Sequence, residues 1–318
     1  MKKTIVCTLL SLFCLYSVAE EAKKVILPDE TVLFSIKDTC QLFLDIYHPA
    51  PGSRTSIDGV EKPAILFAFG GGFISGERNA FHYTPWFKSL TEQGYRVISI
   101  DYRLGLKNMK NPGLNKAFIE QLLYSIDIAV EDVYSATAWL LENGRKYGVD
   151  ARNMVLCGSS AGAIAVMQAE WELCNRSGKS VLLPEDFDYR GVASFSGAIF
   201  STTGPLKYDR EPCPTLMLHG TSDKIVPYGQ IALFNLRFMG SDVISRTFRK
   251  NAYNYKIYRY KGNSHEIASS MYENLPMLTA FIEQNVMAGG RIISDTRLTD
   301  SRIPVKDWGT GNYKKLYK

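Results

Sequence analysis

A serine stands between two glycines in the pentapeptide GSSAG, residues 158–162. Glycine on both sides lets the backbone turn sharply without a Cβ clash. The G-x-S-x-G spacing selects Ser160, because Cys157 occupies the position where a motif centred on Ser159 would need glycine. Gly-rich turns precede helices in many α/β proteins, so the motif needs chemical partners before it indicates a nucleophile.

A nucleophilic serine requires a base and a group that orients the base. The chain has four histidines: His48, His82, His219 and His265. His265 follows the apolar run YKIYRY, and Asp223 lies in the segment after TLMLHG. The order Ser160, Asp223, His265 is the order of an α/β-hydrolase triad, so we predict these three as catalytic.

Two other residues compete for the same roles. His219 precedes Gly220 at the end of TLMLHG, and we predict that it is structural. Glu266 follows His265 directly and is the weaker candidate for the orienting acid.

The segment FGGGF, residues 69–73, also follows a short apolar run. Such a loop can cradle phosphate. Neither a P-loop Lys-Ser/Thr nor a G-x-G-x-x-G helix start follows it, so we interpret it as an oxyanion hole. The predicted N–H donors are Gly71, Gly72 and Ala161.

Short apolar runs alternate with helical periodicity along the chain. The runs suit strands buried on both faces of a parallel sheet: AILFAF, YRVISIDY, NMVLCG, RGVASFSG, TLMLHG and YKIYRY. A leading pair, TVLFSI and LFLDIY, is predicted to be antiparallel. The pattern predicts an α/β fold with a mostly parallel mixed sheet of about eight strands flanked by helices. The span Lys107–Leu123 is long enough for a small cap.

The N-terminus has the pattern of a secretory signal peptide. Lys2 and Lys3 precede an apolar run, and small residues end at Ala19. The run is shorter than a spanning helix, which makes a membrane anchor the weaker interpretation. We therefore predict a signal peptide at 1–19, a catalytic domain at 20–290, a basic extension at 291–318, and a secreted or periplasmic protein without stable membrane insertion.

Charge and cysteine content exclude several functions. The formal net charge is +5 over 318 residues, and it is concentrated in the signal and the tail, so the body is nearly neutral and a poor nucleic-acid binder. No C-x-x-C pair occurs, which argues against a zinc site, and we predict neither metal nor cofactor. Export would permit one or two disulfides among the four cysteines after the signal.

Five segments together resemble a known family: ILFAFGGGFISG, VISIDYRL, YGVDARNMVLCGSSAGA, HGTSDKIVP and GNSHE. They are similar to the α/β-hydrolase esterases of the carboxylesterase and hormone-sensitive-lipase-like branch, including BD-FAE-like secreted bacterial esterases that act on plant cell-wall carbohydrates. The resemblance runs from about Glu61 to Val286. Two positions depart from it: Phe69 replaces the usual histidine before the glycines, and Ser159 replaces the usual acidic residue before the nucleophile.

The resemblance implies hydrolysis of a carboxylic ester through an acyl-enzyme, without a cofactor. The expected substrate is a small-molecule or carbohydrate-linked ester. It also implies that Asp101 and Arg103 support the glycine loop. Two alternatives stay open: an amidase or peptidase on the same fold, and a non-catalytic binding protein of this fold.

Overall fold

The computed structural model of the protein describes residues 26–109 and 115–306. The predicted signal peptide at 1–19 lies outside the described residues. Fourteen strands are described: β1 (Glu30–Lys37), β2 (Cys40–Tyr47), β3 (Ser56–Ile57), β4 (Val60–Glu61), β5 (Ala64–Ala68), β6 (Val97–Ile100), β7 (Met154–Ser159), β8 (Gly191–Phe195), β9 (Ala198–Ser201), β10 (Thr215–Gly220), β11 (Gln230–Leu233), β12 (Leu236–Gly240), β13 (Tyr255–Tyr260) and β14 (Ile293–Leu298).

Five α-helices are described: α1 (Thr84–Glu92), α2 (Lys116–Asn143), α3 (Ala161–Cys174), α4 (Ser241–Lys250) and α5 (Leu275–Phe281). A π-helical segment, Ile282–Met287, continues α5, and short 3₁₀ turns cover Gly144–Tyr147, Ser180–Leu182 and His265–Ser269. None of the helices in the described ranges is both long and apolar enough to cross a bilayer.

Nine strands form one sheet in the order β1-β2-β6-β5-β7-β8-β10-β13-β14. β2 pairs antiparallel with β1 and β6, and every later neighbour is parallel. The six predicted buried runs are β5, β6, β7, β8, β10 and β13, and β5, β7, β8 and β10 are buried along their whole length. Helices cover both faces, so the fold class predicted from the sequence is confirmed.

The ninth strand lies beyond the predicted domain boundary at residue 290. β14 pairs in parallel with β13 at the edge of the sheet, although four of its six residues are exposed. An edge strand with one solvated face lacks the continuous apolar run of a central strand, so its sequence resembles an extension. The sheet therefore includes residues that we had assigned to the basic tail.

The span Lys107–Leu123 supplies the start of a helix in its described part. Helix α2 begins at Lys116, and the Asn115 side chain caps it by accepting a hydrogen bond from the Phe118 N–H at 2.9 Å. Residues 110–114, where a cap was expected to continue, lie outside the described residues.

Two charged residues after β6 have different roles. Asp101 accepts hydrogen bonds from Arg78 at 2.8 Å and from the Phe43 N–H at 3.0 Å, so it ties down the chain that leaves the glycine loop. Arg103 instead pairs with Asp132 of α2. The family-based expectation fits Asp101, whereas Arg103 anchors a helix.

The cysteines of the described chain are free thiols. Cys40 is exposed and Cys157 is buried in β7, while Cys174 and Cys213 lie near each other around Glu170. The one or two disulfides that export would permit are not formed among these four cysteines.

Helix α3 carries a buried carboxyl group at Glu172. Gln168 donates to its Oε1 at 3.1 Å, and its Oε2 is buried without a hydrogen-bond partner among the described residues. Burial raises the pKa of Glu172 to about 7. In the unfolded chain the same group titrates near a pKa of about 4.3.

This shift has a defined effect on stability. The folded protein binds the Glu172 proton more tightly than the unfolded chain, so between about pH 4.3 and 7 stability falls as pH rises. We predict that Glu172→Gln removes this contribution. The free energy of unfolding of the variant, relative to wild type, should increase from pH 4.5 to pH 7 in denaturant titrations. An equal difference at both pH values would contradict the prediction.

Helix α3 also packs unusually close to β5 at its first turn. A Cβ on Gly162 would lie 2.1 Å from the Ala68 carbonyl oxygen. We predict that Gly162→Ala lowers the free energy of unfolding by about 1 to 3 kcal/mol, because the helix must move away from the sheet. Gly229→Ala is the matched control, since an added Cβ there meets nothing within 4 Å; it should stay within about 0.5 kcal/mol of wild type.

Candidate active site

The predicted nucleophile sits on a sharp turn between β7 and α3. Ser160 has φ 51° and ψ −115°, a conformation that non-glycine residues rarely adopt. Its N–H donates to the Phe195 carbonyl oxygen of β8 at 2.9 Å, which anchors the turn. The two flanking glycines pack too closely for a side chain between them, because a Cβ on Gly158 would lie 2.4 Å from the Gly162 backbone.

The two adjacent serines have different environments. The Ser159 hydroxyl donates to the Ala268 carbonyl oxygen at 2.7 Å. Ser160 Oγ lies 2.8 Å from His265 Nε2. The structure therefore places the hydroxyl of Ser160, and not that of Ser159, against an imidazole.

The three predicted triad residues meet at the carboxyl ends of their strands. His265 Nδ1 lies 2.7 Å from Asp223 Oδ2, while its Nε2 contacts Ser160. All three side chains are buried, and Ser160 is 3% exposed. An ionised carboxylate accepts the Nδ1–H and thereby leaves Nε2 free to accept the serine proton.

Close backbone packing sets the relative positions of the acid and the histidine. The turn after β10 carries Asp223, and the turn after β13 carries His265. The Ser222 N–H donates to the Asn263 carbonyl oxygen at 2.9 Å, and a Cβ on Gly220 would lie 2.1 Å from the Ser264 oxygen. These contacts hold the two turns in a fixed relative position.

The Asp223 carboxylate is surrounded by N–H donors. Its Oδ1 accepts from the backbone N–H groups of Ile225 at 2.9 Å and Val226 at 3.1 Å. Burial raises the pKa of Asp223, but the neighbouring His265 and the hydrogen bonds from His219 and His265 outweigh it and hold that pKa well below its usual value. The carboxylate is therefore ionised throughout the neutral range.

The two competing residues have other partners. Glu266 accepts from the Asn263 side chain at 2.9 Å and from the Ser264 N–H at 3.0 Å, so it braces the His265 turn. His219 lies against Asp223, with its Nε2 3.2 Å from Oδ2. The sequence interpretation of His219 as structural did not anticipate this contact, because only the turn after Gly220 brings the two side chains together.

The glycine loop has the backbone that a crowded turn demands. Gly71 and Gly72 have φ values of 142° and 63°, and a Cβ on Gly71 would lie 1.8 Å from the Ser75 oxygen. The loop follows β5 directly, and β5 neighbours β7 in the sheet. Its N–H groups and that of Ala161 thus follow the carboxyl ends of adjacent parallel strands.

Aromatic residues brace this loop where the resemblance led us to expect a histidine. The Phe69 ring stacks on Tyr102 at a centroid distance of 4.4 Å, and the Tyr102 hydroxyl donates to the Phe69 carbonyl oxygen at 2.7 Å. The Gly70 N–H donates to the Tyr83 hydroxyl at 2.9 Å. Packing and two tyrosine hydroxyls therefore hold the loop.

A cavity of about 740 Å³ lies elsewhere on the described surface. It is lined by α2, α3 and the segment that follows β9, including Tyr124, Trp171 and Phe200, and none of the predicted triad residues lines it. The Ser160 cluster therefore lies outside this cavity. Within residues 26–109 and 115–306, no cluster of His, Cys, Asp or Glu is arranged to hold a metal ion.

Comparisons with known proteins agree with this architecture. Residues 44–179 match the BD-FAE family model. The chain is 29% identical over 150 residues to the non-reducing polyketide synthase ausA of Emericella nidulans, covering 45% of this chain and 5% of that protein. It is 30% identical over 108 residues to the esterase LipI of Mycobacterium tuberculosis, covering 34% of this chain and 28% of LipI. The chain thus spans much less than half the length of these relatives.

Among solved structures, esterase 2 of Thermogutta terrifontis in its apo form is similar with a TM-score of 0.55 and 20% identity, covering 79% of this chain and 91% of that one. The same esterase phosphonylated by cyclosarin is similar with a TM-score of 0.54 and 19% identity, covering 79% of this chain and 94% of that one. At this identity the likeness establishes the fold. The chain therefore has the α/β-hydrolase fold, and its residues 44–179 are similar to the BD-FAE family.

Proposed function

We propose that this protein is a serine esterase that hydrolyses small carboxylic esters through an acyl-enzyme. One observation carries the proposal: Ser160 Oγ is 2.8 Å from His265 Nε2, and His265 Nδ1 is 2.7 Å from the Asp223 carboxylate. A buried hydroxyl, imidazole and carboxylate in this order form the arrangement of nucleophilic acyl transfer. The similarity to LipI and to esterase 2 supports an ester as the substrate.

The first half-reaction forms the acyl-enzyme. His265 Nε2 takes the proton of Ser160 as Oγ attacks the ester carbonyl carbon. The resulting oxyanion is stabilised by the N–H groups of Gly71, Gly72 and Ala161, with the positive end of α3 behind them. His265 then returns the proton to the leaving alcohol, and the C–O bond of the ester breaks.

The second half-reaction uses water as the nucleophile. His265 removes a proton from water, hydroxide adds to the acyl carbonyl, and the proton passes to Ser160 Oγ as the carboxylic acid leaves. Asp223 stays ionised throughout and stabilises the imidazolium that forms in each half-reaction.

We also propose that the protein is exported through residues 1–19 and that its substrates include acyl groups on carbohydrates. Both proposals rest on the N-terminal pattern and on the family resemblance. Expression in a bacterial host with N-terminal sequencing of the product tests export, and a new terminus near Glu20 is expected. Acetate release from acetylated xylan, compared with an aryl acetate, tests the substrate class.

The first functional prediction concerns the nucleophile. Ser160→Ala should lower kcat on p-nitrophenyl acetate by about 10⁴-fold or more and abolish labelling by a fluorophosphonate probe. Ser159→Ala removes a neighbouring hydroxyl that bonds to Ala268 and is the matched control. It should retain labelling. The reverse pattern would show that the turn has been assigned to the wrong serine, and hydrolysis of matched amides but not esters would favour an amidase.

The second functional prediction concerns the aromatic support of the glycine loop. Phe69→Ala removes the ring that stacks on Tyr102 and should lower kcat by about 10- to 100-fold, because a loosened loop presents its N–H donors poorly. The KM should change much less. Thermal melts exclude unfolding as the cause, and a stably folded variant with wild-type kcat would mean that Phe69 only fills space.

A further inference from the structure

We propose that His219 is a positioning residue for the proposed esterase reaction, acting through a hydrogen bond to the Asp223 carboxylate. The inference rests on the proposed function, since Asp223 matters for catalysis only if His265 is the base. It is carried by the position of the His219 ring: Nε2 lies 3.2 Å from Asp223 Oδ2 on one side, and Nδ1 lies 2.8 Å from Ser241 Oγ on the other.

The contacts of the ring determine where its proton lies. Nε2 faces Asp223 Oδ2 and the carbonyl oxygen of Val226, each at 3.2 Å, and both oxygens only accept hydrogen bonds. Nε2 must therefore carry a proton. In a ring protonated only at Nε2, Nδ1 accepts a hydrogen bond from the Ser241 hydroxyl. Both nitrogens of this buried side chain then have a hydrogen-bond partner.

His219 and His265 approach the same carboxylate oxygen. His265 Nδ1 approaches Asp223 Oδ2 to 2.7 Å, and His219 Nε2 approaches it to 3.2 Å. Two backbone N–H groups hold the other oxygen, Oδ1. Four N–H groups thus face the carboxylate. The His219 N–H, which is shared with the Val226 carbonyl oxygen, is the side-chain N–H that does not take part in the proposed proton transfer.

The placement of His219 is rigid. It is fully buried near the end of β10, and it pairs with Arg259 in the register of β13. A strand residue in the middle of a sheet moves less than a loop residue, so its N–H is a fixed reference for the Asp223 loop. Without it, the carboxylate can rotate about its last side-chain bond and lose alignment with His265.

Other ionisable groups close to this cluster are engaged with different partners. The Tyr228 ring lies 5.6 Å from the His219 ring, and its hydroxyl contacts Arg259. The remaining groups are Arg259 with Asp242 and Asp295, and Glu266 with the His265 turn. The polar contacts named here do not involve His219. We therefore expect these groups to stay in place when His219 is replaced, and a change in pH dependence then reports the Asp223–His219 contact.

The test compares three variants. His219→Phe keeps a flat ring but removes the N–H, and His219→Gln can supply an amide N–H to the same oxygen. Ser241→Ala removes the other hydrogen bond of the His219 ring and leaves its contact with Asp223 intact, so it controls for loss of a buried contact. Thermal melts and fluorophosphonate titration of active sites correct each kcat for unfolded protein.

We expect His219→Phe to lower kcat on p-nitrophenyl acetate by about 10- to 100-fold with KM within about twofold of wild type. The acid limb of kcat/KM should move to lower pH, because a carboxylate that has lost its alignment with His265 stabilises the imidazolium less. His219→Gln should recover most of kcat, and Ser241→Ala should leave the acid limb in place.

Two outcomes would overturn the role of His219. One is a stably folded His219→Phe with the kcat and acid limb of wild type. The other is His219→Gln no better than His219→Phe, which would show that an N–H directed at Asp223 is not what the ring supplies.

The proposed function fails separately, if wild type neither hydrolyses esters nor reacts with the fluorophosphonate. In that case the downfield proton NMR resonance of His265 Nδ1–H still tests the positioning role. It should shift in His219→Phe and not in Ser241→Ala, and an unshifted resonance in His219→Phe would refute the proposal.

Discussion

The close approach of helix α3 to strand β5 is the constraint on which the candidate site depends. Ser160 can reach its φ of 51° only because the chain turns back immediately, with Gly162 packed against the Ala68 and Phe69 carbonyls. Such a conformation costs about 1 to 3 kcal/mol and persists only when its surroundings enforce it. The same contact brings the start of the glycine loop beside the helix N-terminus. The proposed nucleophile and the proposed oxyanion donors are therefore positioned by one packing interaction.

Parallel pairing explains how residues far apart in the chain meet at this turn. β5, β7, β10 and β13 all run in the same direction, so the segments that follow them emerge at one edge of the sheet. The Asp223 and His265 turns are then joined by the Ser222–Asn263 backbone bond. The order of strands fixes which loops are neighbours, and backbone contacts between loops fix the final distances.

Much of this arrangement was predictable from sequence because it depends on local patterns. Short apolar runs followed by glycines indicated Ser160 and the loop at 69–73. Because the predicted sheet is mostly parallel, the segments that follow its strands were expected at one edge, where Asp223 and His265 would lie near Ser160. β14 was missed because an exposed edge strand has little apolar periodicity. The small sheet of β9, β11 and β12 was missed because β11 is exposed along its whole length. Long-range pairing, and not local composition, makes these segments strands.

The contacts that were not predicted share a physical origin. Each is formed by the folded chain and is not marked by a recognisable sequence motif. Two tyrosines brace the glycine loop: Tyr83 lies directly before α1, and Tyr102 lies shortly after β6. Their hydroxyls support the loop at the place where the family resemblance led us to expect a histidine. His219 reaches Asp223 because the chain reverses within four residues after β10.

A buried carboxylate destabilises the folded state unless hydrogen-bond donors surround it. Two imidazole N–H groups and two backbone N–H groups face the Asp223 carboxylate. The groups that stabilise the Asp223 charge are the same ones that aim it at His265. Stability of the buried charge and alignment of the proposed base therefore depend on the same four N–H contacts.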